Sequence, residues 1–483
     1  MPFYAAFLIV LLFSQSFGHD GIRCGIMNID SQKRIAAKKA YSAAGLRETV
    51  HTKKSQGSPF IIYYTKTGMH AADSTYIDSL ESYLLQAYEL IQNSLGMKKG
   101  ILGAAKTDFY EQEVPQGFYP VEVMDTGLAG DCGILGSVFP PNIYSPNNTQ
   151  ISIENDFIFG TSCQFGNQGD YMADNILEIL KVTAFHELYH SFQTAYSAIS
   201  NNNIFWMEAG ATGVEEIAMP NANYYISSLS SVFQKIPRMS INSFDFSSSE
   251  RDREKFYSYA TLYLFLYDKI GRTFDSAIWD YFSKNPRDKF PVQLARLADS
   301  LGLDAEDLFH EYAKRVFYSG SRANSSPYQH FWPDMPRWPN WKTNLDEPAV
   351  LPAGTFDFIG LTGEREPGTD SVLRKTPLND GRNIVWAISR LLRDSAFFSS
   401  PQKFAAFPNP WNPKNPNTPV LYFNLPEKTE AVEIRTSNGA LLERVRGEAG
   451  KPLAWQPKKI PAPGILYYRT LPYGKNKVLI VSY

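Results

Sequence analysis

Two histidines four positions apart place the strongest constraint on this chain. They belong to His186-Glu187-Leu188-Tyr189-His190, within residues 171–197, whose pattern predicts a single helix. Four residues advance about 400° around a helix, so both imidazoles lie on one face and can bind one Zn²⁺ at about 2.0–2.1 Å. Glu187 lies about 100° from His186, where it can act on a water without binding the metal itself. The motif therefore predicts a zinc site with Glu187 as general base.

A catalytic zinc site needs a third protein ligand. Seventeen residues separate His190 from Glu208, which is enough to end one helix, turn, and return on a second helix. The small residues that follow Glu208 predict that this second helix approaches the first one closely. We expect Glu208 to be the ligand, and Glu215, on the same face, to accept a hydrogen bond from a histidine ring. The alternative is that Glu215 and Glu216 are solvated surface charges.

Charge and the N-terminal sequence limit the classes of function. The chain has 483 residues with 47 basic and 49 acidic side chains, a net charge of −2. This balance excludes the strongly basic surface of a typical nucleic-acid-binding protein. The apolar run of residues 5–13, followed by Ser16 and Gly18, predicts a signal peptide over residues 1–18 and a secreted or cell-surface protein. No later stretch is long and apolar enough to predict a transmembrane segment.

The remaining chain divides into four predicted regions. Residues 19–58 are basic and weakly apolar, and we predict a leader or propeptide-like segment there. Residues 59–335 begin with strands and continue with helices, which predicts an α+β domain around the metal motif. Residues 336–400 are predicted to form a small β-rich connecting region. Short strand patterns separated by turn residues predict a β-sandwich over residues 401–483.

The metal motif also carries a resemblance to a known family. His-Glu-Leu-Tyr-His, followed by Trp-Met-Glu-Ala-Gly-Ala at residues 206–211, resembles the gluzincin class of zinc metallopeptidases, and more narrowly a group of exported bacterial members. The resemblance covers about residues 24–320. It implies a gluzincin-like α+β domain with a β-rich first half and a helical second half, zinc as cofactor, and protein or peptide substrates.

Two further roles follow from this resemblance. Related enzymes use a later tyrosine or histidine to stabilise the oxyanion, and Tyr259 and Tyr257 are the candidates in this chain. The alternative for each tyrosine is packing within an aromatic core. By the same analogy, residues 151–157 are expected to form the sheet edge that pairs with the substrate backbone.

The last region resembles a different module. Residues 401–483 are similar to the Ig-like domains of flagellar hook caps and of secretion sorting, found at the C-termini of exported bacterial proteins. The matching residues include Pro408-Asn409-Pro410, Gly439, Trp455 and Tyr467. The resemblance implies that this domain contacts the secretion machinery or attaches the protein to the cell surface, with no part in catalysis.

The three cysteines suggest two further features. Cys132 and Cys163 flank the strand region before the metal helix, and in an exported chain we predict a disulfide between them. Cys24 is then left over. Its surroundings resemble the cysteine switch of other zinc peptidases, in which a thiolate occupies the open zinc position and keeps the enzyme latent. An inert cysteine or a different pairing is the alternative.

Two functions from different classes fit these observations. The first is a secreted zinc endopeptidase, in which Glu187 takes a proton from water and delivers it to the leaving amine. The second is a non-catalytic surface or adhesion protein on a metallopeptidase scaffold. The intact motif together with Glu208 favours the enzyme. An aminopeptidase would need an acidic anchor for the substrate amine, and no segment of that type precedes the metal helix.

Overall fold

A computed structural model of the protein describes most of the chain between residues 48 and 481. The described residues are 48–100, 106–126, 135–139, 149–157, 175–196, 203–235, 241, 256–286, 288–344, 351, 354–360, 367, 373–379, 384–392, 406–407, 411–414, 420–424, 431–447, 452–457, 461–471 and 477–481. The predicted signal peptide, the leader up to residue 47, and Cys24, Cys132 and Cys163 lie outside these ranges. The latency switch and the disulfide therefore stay predictions.

A five-stranded mixed sheet forms the first half of the region that carries the histidine motif. Its spatial order is β1-β2-β3-β5-β4. The central strands β2, β3 and β5 run parallel, whereas β1 and β4 are antiparallel to their neighbours. The strands are β1 (Val50–Lys53), β2 (Phe60–Thr65), β3 (Tyr119–Met124), β4 (Gly136–Phe139) and β5 (Gln150–Glu154).

Both faces of this sheet are covered. On β2, Phe60 and Ile62 belong to the large core that includes the helices, while Ile61 and Tyr63 pack with Phe109 on the opposite face. Because successive residues of a strand point to opposite faces, a strand covered on both sides is apolar throughout. Helix α1 (Ser74–Tyr88) begins at the Asp73 cap and continues as a π-helical turn over Glu89–Ser94.

The second half is helical and holds the metal motif. Every residue of α2 from Val182 to Thr194 is buried, so this helix is surrounded by protein and has no polar outer face. Helix α3 packs against α2, and α5 packs against α3. The helices are α2 (Ile176–Thr194), α3 (Ile204–Ala218), α4 (Tyr225–Lys235), α5 (Ala260–Ile270), α6 (Phe274–Lys284), α7 (Phe290–Ser300) and α8 (Ala305–Phe317).

A small antiparallel sheet follows and packs on α8. Its order is β6-β8-β7, formed by β6 (Thr355–Ile359), β7 (Arg374–Asn379) and β8 (Ile384–Arg390). Apolar residues of all three strands belong to the same core as the helices. The buried His310 of α8 also contacts this sheet, with Nδ1 2.8 Å from Ser389 Oγ and Nε2 2.8 Å from Thr376 Oγ1. The sheet thus extends the core of the region that carries the histidine motif.

The C-terminal residues form two antiparallel sheets around a separate core. One sheet has the order β13-β10-β9 and the other β12-β11-β14-β15. Trp411 and Trp455 lie in this core with residues from both sheets, which is the arrangement of a sandwich. Its strands are β9 (Ala406–Phe407), β10 (Leu421–Asn424), β11 (Ala431–Thr436), β12 (Leu441–Arg446), β13 (Pro452–Trp455), β14 (Gly464–Leu471) and β15 (Lys477–Val481).

The predicted α+β class is confirmed, and two sequence-based details need correction. Residues 50–53, which the sequence assigned to the leader, form β1. This strand pairs with β2, from Val50 opposite Thr65 to Lys53 opposite Ile62. Residues 151–157 were expected to provide the sheet edge, but β5 has β3 on one side and β4 on the other. On that side of the sheet the edge strand is β4, and β1 forms the opposite edge. In the described part of the chain, no helix is long and apolar enough to span a membrane.

Candidate metal centre

His186, His190 and Glu208 come together in the buried space between α2 and α3. The two Nε2 atoms lie 3.0 Å apart. Glu208 Oε2 is 3.3 Å from His186 Nε2, and its Oε1 is 3.6 Å from His190 Nε2. Within the described residues this is the one group of three such side chains with ligand atoms close enough to share a metal ion. The structure therefore joins the two histidines of the motif with Glu208, the glutamate predicted beyond the seventeen-residue interval.

The spacing of these atoms fits a tetrahedral metal. Ligand atoms at about 2.0–2.1 Å from a tetrahedral ion are about 3.3–3.4 Å from one another. The two Nε2 atoms are 3.0 Å apart, and a Glu208 oxygen lies 3.3 Å from one of them and the other Glu208 oxygen 3.6 Å from the second, all near that value. Neither Glu208 oxygen has a hydrogen-bond partner among the described residues, although the side chain is fully buried. Buried carboxylate oxygens without hydrogen bonds are expected where a cation binds.

The electrostatics of the cluster also favour a cation. Burial lowers the pKa of His186, but the nearby carboxylates of Glu208 and Glu215 outweigh burial and raise that pKa to about 10. Burial raises the pKa of Glu208, whereas His190 and His186 together lower it to about 2. Both effects arise because carboxylates and imidazole rings lie close together, so that carboxylate and imidazolium stabilise each other. The negative charge of the carboxylates also attracts a divalent metal ion.

Each histidine is oriented by an acceptor at its other ring nitrogen. His186 Nδ1 lies 2.5 Å from Glu215 Oε1, where sequence spacing placed this glutamate. His190 Nδ1 lies 2.7 Å from Gln193 Oε1, and the Gln193 amide donates to the Met207 carbonyl of α3 at 3.2 Å. Such partners fix the ring so that Nε2 faces the metal. Gln193 was not predicted from the sequence. The only indication of its role is that it is a polar residue three positions after His190 in a buried helix.

Glu187 is fully buried beside the edge strand β4. A Cβ added at Gly136, the first residue of β4, would lie 2.7 Å from Glu187 Cγ and 2.8 Å from Thr183 Cγ2. Real Cβ contacts are not this short, so only glycine lets the strand approach the helix here. Glu187 is thus confined between the metal helix and the strand edge.

The two candidate tyrosines have different surroundings. The Tyr257 ring centroid is 6.3 Å from that of His186, so this tyrosine lies beside the metal cluster. Tyr259 packs edge-on against Phe205 at 5.8 Å, within the large apolar core, and burial raises its pKa far above the usual value. Of the two candidates, Tyr259 was slightly preferred from the sequence. The structure places Tyr257, and not Tyr259, beside the metal cluster.

The two glutamates that follow on α3 are not solvated surface charges. Glu215 is 6% exposed and Glu216 is 3% exposed. Glu216 accepts a hydrogen bond from Trp332 Nε1 at 2.9 Å, and burial raises its pKa to about 8. The surface interpretation fails because α3, like α2, is enclosed by neighbouring helices and loops.

Comparison with protein-family models gives no match to this chain, and comparison with curated proteins gives none either. The functional assignment therefore depends on the geometry of the site.

Proposed function

We propose that the protein is an exported zinc endopeptidase of gluzincin-like organisation, with zinc held by His186, His190 and Glu208. The observation that carries this proposal is the convergence of three buried ligand atoms with Glu187, the neighbour of His186 on the same helix. Two imidazoles and one carboxylate are a typical ligand set of catalytic zinc and leave one coordination position for water or substrate. When bound, zinc supplies Lewis-acid polarisation of a carbonyl and lowers the pKa of water.

The residues of the chain have distinct roles in this proposal. Glu187 accepts the proton of the attacking water at a carboxylate oxygen and later delivers it to the nitrogen of the leaving amine. Glu215 and Gln193 hold the two imidazoles in orientation. Tyr257, beside His186, is the candidate donor of a hydrogen bond to the oxygen that becomes negative in the transition state.

The edge strand offers a place for an extended peptide. β4 pairs with β5 on one side, and on its other side no described strand pairs with it. It also packs on α2 at Gly136, next to Glu187. A peptide that added to this edge would lie alongside the metal helix, with its backbone hydrogen-bonded to β4. This arrangement suits a substrate recognised through its backbone.

The test combines metal content with hydrolysis of a denatured protein. The purified protein should contain about one zinc per chain and should lose activity in a chelator and regain it when zinc is added. Glu187→Gln should keep the zinc and lose about 10²–10⁴-fold in rate, because the amide cannot accept the proton of water. A Glu187→Gln protein that cleaves at the wild-type rate would show that this mechanism is wrong.

A surface or attachment role is a second proposal and concerns the C-terminal sandwich. Ile465, Val478 and Ile480 are 44–48% exposed on neighbouring strands of its four-stranded sheet. Exposed apolar residues grouped on one sheet face are typical of surfaces that bind a partner. The non-catalytic function would be favoured if the wild-type protein contains zinc but cleaves no denatured protein, and if the C-terminal sandwich still binds cell surfaces.

A further inference from the structure

One buried carboxylate outside the metal cluster contacts both helices that supply the ligands. Asp275, in the first turn of α6, is fully buried. It accepts a hydrogen bond from the Tyr189 hydroxyl of α2 and another, at 2.8 Å, from Trp206 Nε1 of α3. Among the described residues no lysine or arginine forms an ion pair with it. A buried carboxylate without a cation is costly, so these two hydrogen bonds are its main compensation.

The two donors are positioned close to the metal ligands in sequence. Tyr189 directly precedes His190 and lies between the two histidines of the motif. Trp206 is two residues before Glu208, about 200° around α3 and therefore on the face opposite to the ligand. Asp275 thus bridges a side chain of α2 that neighbours His190 and a side chain of α3 on the face opposite to Glu208. Rotation of either helix that displaced its ligand would also break its hydrogen bond to Asp275.

Close packing surrounds this contact. A Cβ at Gly210 would lie 3.1 Å from Tyr189 Cε1, and one at Gly213 would lie 2.3 Å from Tyr263 Cδ1. The tyrosine rings therefore fill the grooves that the two glycines leave on α3. The Trp206 ring also stacks on Phe290 of α7, with centroids 4.2 Å apart. Such packing leaves few alternative positions for the two donors.

We infer that Asp275 is a positioning residue of the metal centre, which sets the rotation and separation of α2 and α3 through Tyr189 and Trp206. The inference rests on the proposed zinc site and goes beyond it, because Asp275 touches none of the three ligands. Metal affinity depends on the relative placement of ligands, and partners that orient ligands typically contribute about 10–100-fold to it.

The test measures zinc affinity of folded protein by competition with a chromophoric chelator. Asp275→Leu removes both acceptors and should lower zinc affinity about 10–100-fold. Asp275→Asn should restore most of that loss, because its amide oxygen can accept from Trp206 and its NH₂ group can donate to the Tyr189 hydroxyl. Tyr189→Phe and Trp206→Phe each remove one donor and should give intermediate losses.

A matched control separates positioning from general destabilisation. Glu122 is also fully buried, accepts hydrogen bonds from the backbone N–H groups of Phe109 and Tyr110, and lies on β3 away from the ligand helices. Glu122→Leu should lower the free energy of unfolding without changing the zinc affinity of the folded protein. The visible spectrum of Co²⁺-substituted protein should change in the Asp275 and Trp206 variants and stay unchanged in Glu122→Leu.

The outcomes are distinct for the two proposals. Wild-type protein that binds no zinc contradicts the proposed function. The positioning role is overturned if wild-type protein binds zinc and the variants bind it equally well. These variants are Trp206→Phe, Tyr189→Phe and every folded Asp275 variant. If Asp275→Leu does not fold, the two donor variants decide the question.

Discussion

Buried carboxylates are compensated differently in α2, α3 and α6, around the candidate metal centre, and in the C-terminal sandwich. In the sandwich, Glu433 of β11 is 2% exposed and accepts hydrogen bonds from Arg435, Arg444 and Arg469. Arg444 contributes most to this effect, and the three guanidinium groups lower the pKa of Glu433 to about 2. Its charge is matched by side chains that reach in from the surface.

In the helix pair the carboxylates have no such partners. Glu208 and Glu215 face imidazoles, and Asp275 faces a phenol and an indole. In the part of the chain that the structure describes, no lysine or arginine forms an ion pair with any of the three. Burial of the Glu208 charge without a permanent cation is expected where a metal ion supplies the positive charge. Asp275 is compensated differently, because burial raises its pKa well above the usual value and favours the neutral carboxyl. The comparison thus separates a structural ion-pair network from a candidate metal centre.

Removal of a metal ligand should have the largest effect on the candidate metal centre and none on the ion pairs of the sandwich. His190→Ala and Glu208→Ala each take away one of the three ligand atoms, and zinc affinity should fall by more than the roughly 100-fold that orienting partners contribute. Zinc content after dialysis, measured by atomic absorption, should drop from about one per chain to almost none. Arg469→Ala in the sandwich is the control and should leave zinc content unchanged. Full zinc retention in His190→Ala would place the metal elsewhere.

Loss of an orienting partner should have a smaller effect of the same kind. Glu215→Leu and Gln193→Leu each remove the acceptor at one Nδ1 atom, so the ring is less firmly held and zinc affinity should fall about 10–100-fold. Glu215 is charged and Gln193 is neutral, so we expect the Glu215 variant to lose more. Chelator competition measures both. Equal affinities in wild type and both variants would show that the rings are held by packing alone.

The sequence predicted local features of this site better than long-range ones. The His186–His190 spacing and the return to Glu208 follow from helix geometry, which depends on nearby residues only. The edge strand was misplaced because β4 and β5 are both short, and their order depends on pairing across the whole sheet. Asp275 carried no signal, because its role depends on two aromatic partners that are distant in sequence and adjacent only in the fold.

A histidine in the same domain provides a test that does not involve the metal. Burial lowers the pKa of His310 to about 4 from 6.5, with smaller effects from Lys314 and Arg374. Because the unfolded chain binds a proton more tightly, this histidine contributes stability above pH 6.5 that is lost as pH falls towards 4. The free energy of unfolding should therefore drop by about 2 kcal/mol between pH 7 and pH 5 on its account.

The measurement is urea unfolding of wild type and His310→Gln at both pH values. Glutamine can still donate to one hydroxyl and accept from the other at Ser389 and Thr376 but does not titrate. The variant should lose less stability than wild type between pH 7 and pH 5. If both proteins lost the same free energy of unfolding, protonation of His310 would not contribute to the loss of stability at low pH.

Deletion of the sandwich should have the smallest effect on the metal centre. The core around the candidate metal centre includes residues up to Leu392, and the core of the sandwich begins at Ala406, with no described residue shared between them. A chain ending at Ser399 should therefore fold, bind zinc with wild-type affinity and hydrolyse protein within about twofold of the full rate, as expected for an independent domain. Delivery to the cell surface is the property that should change. Loss of zinc binding in the shortened chain would show that the sandwich stabilises α2 and α3. The two regions would then not be stabilised independently of each other.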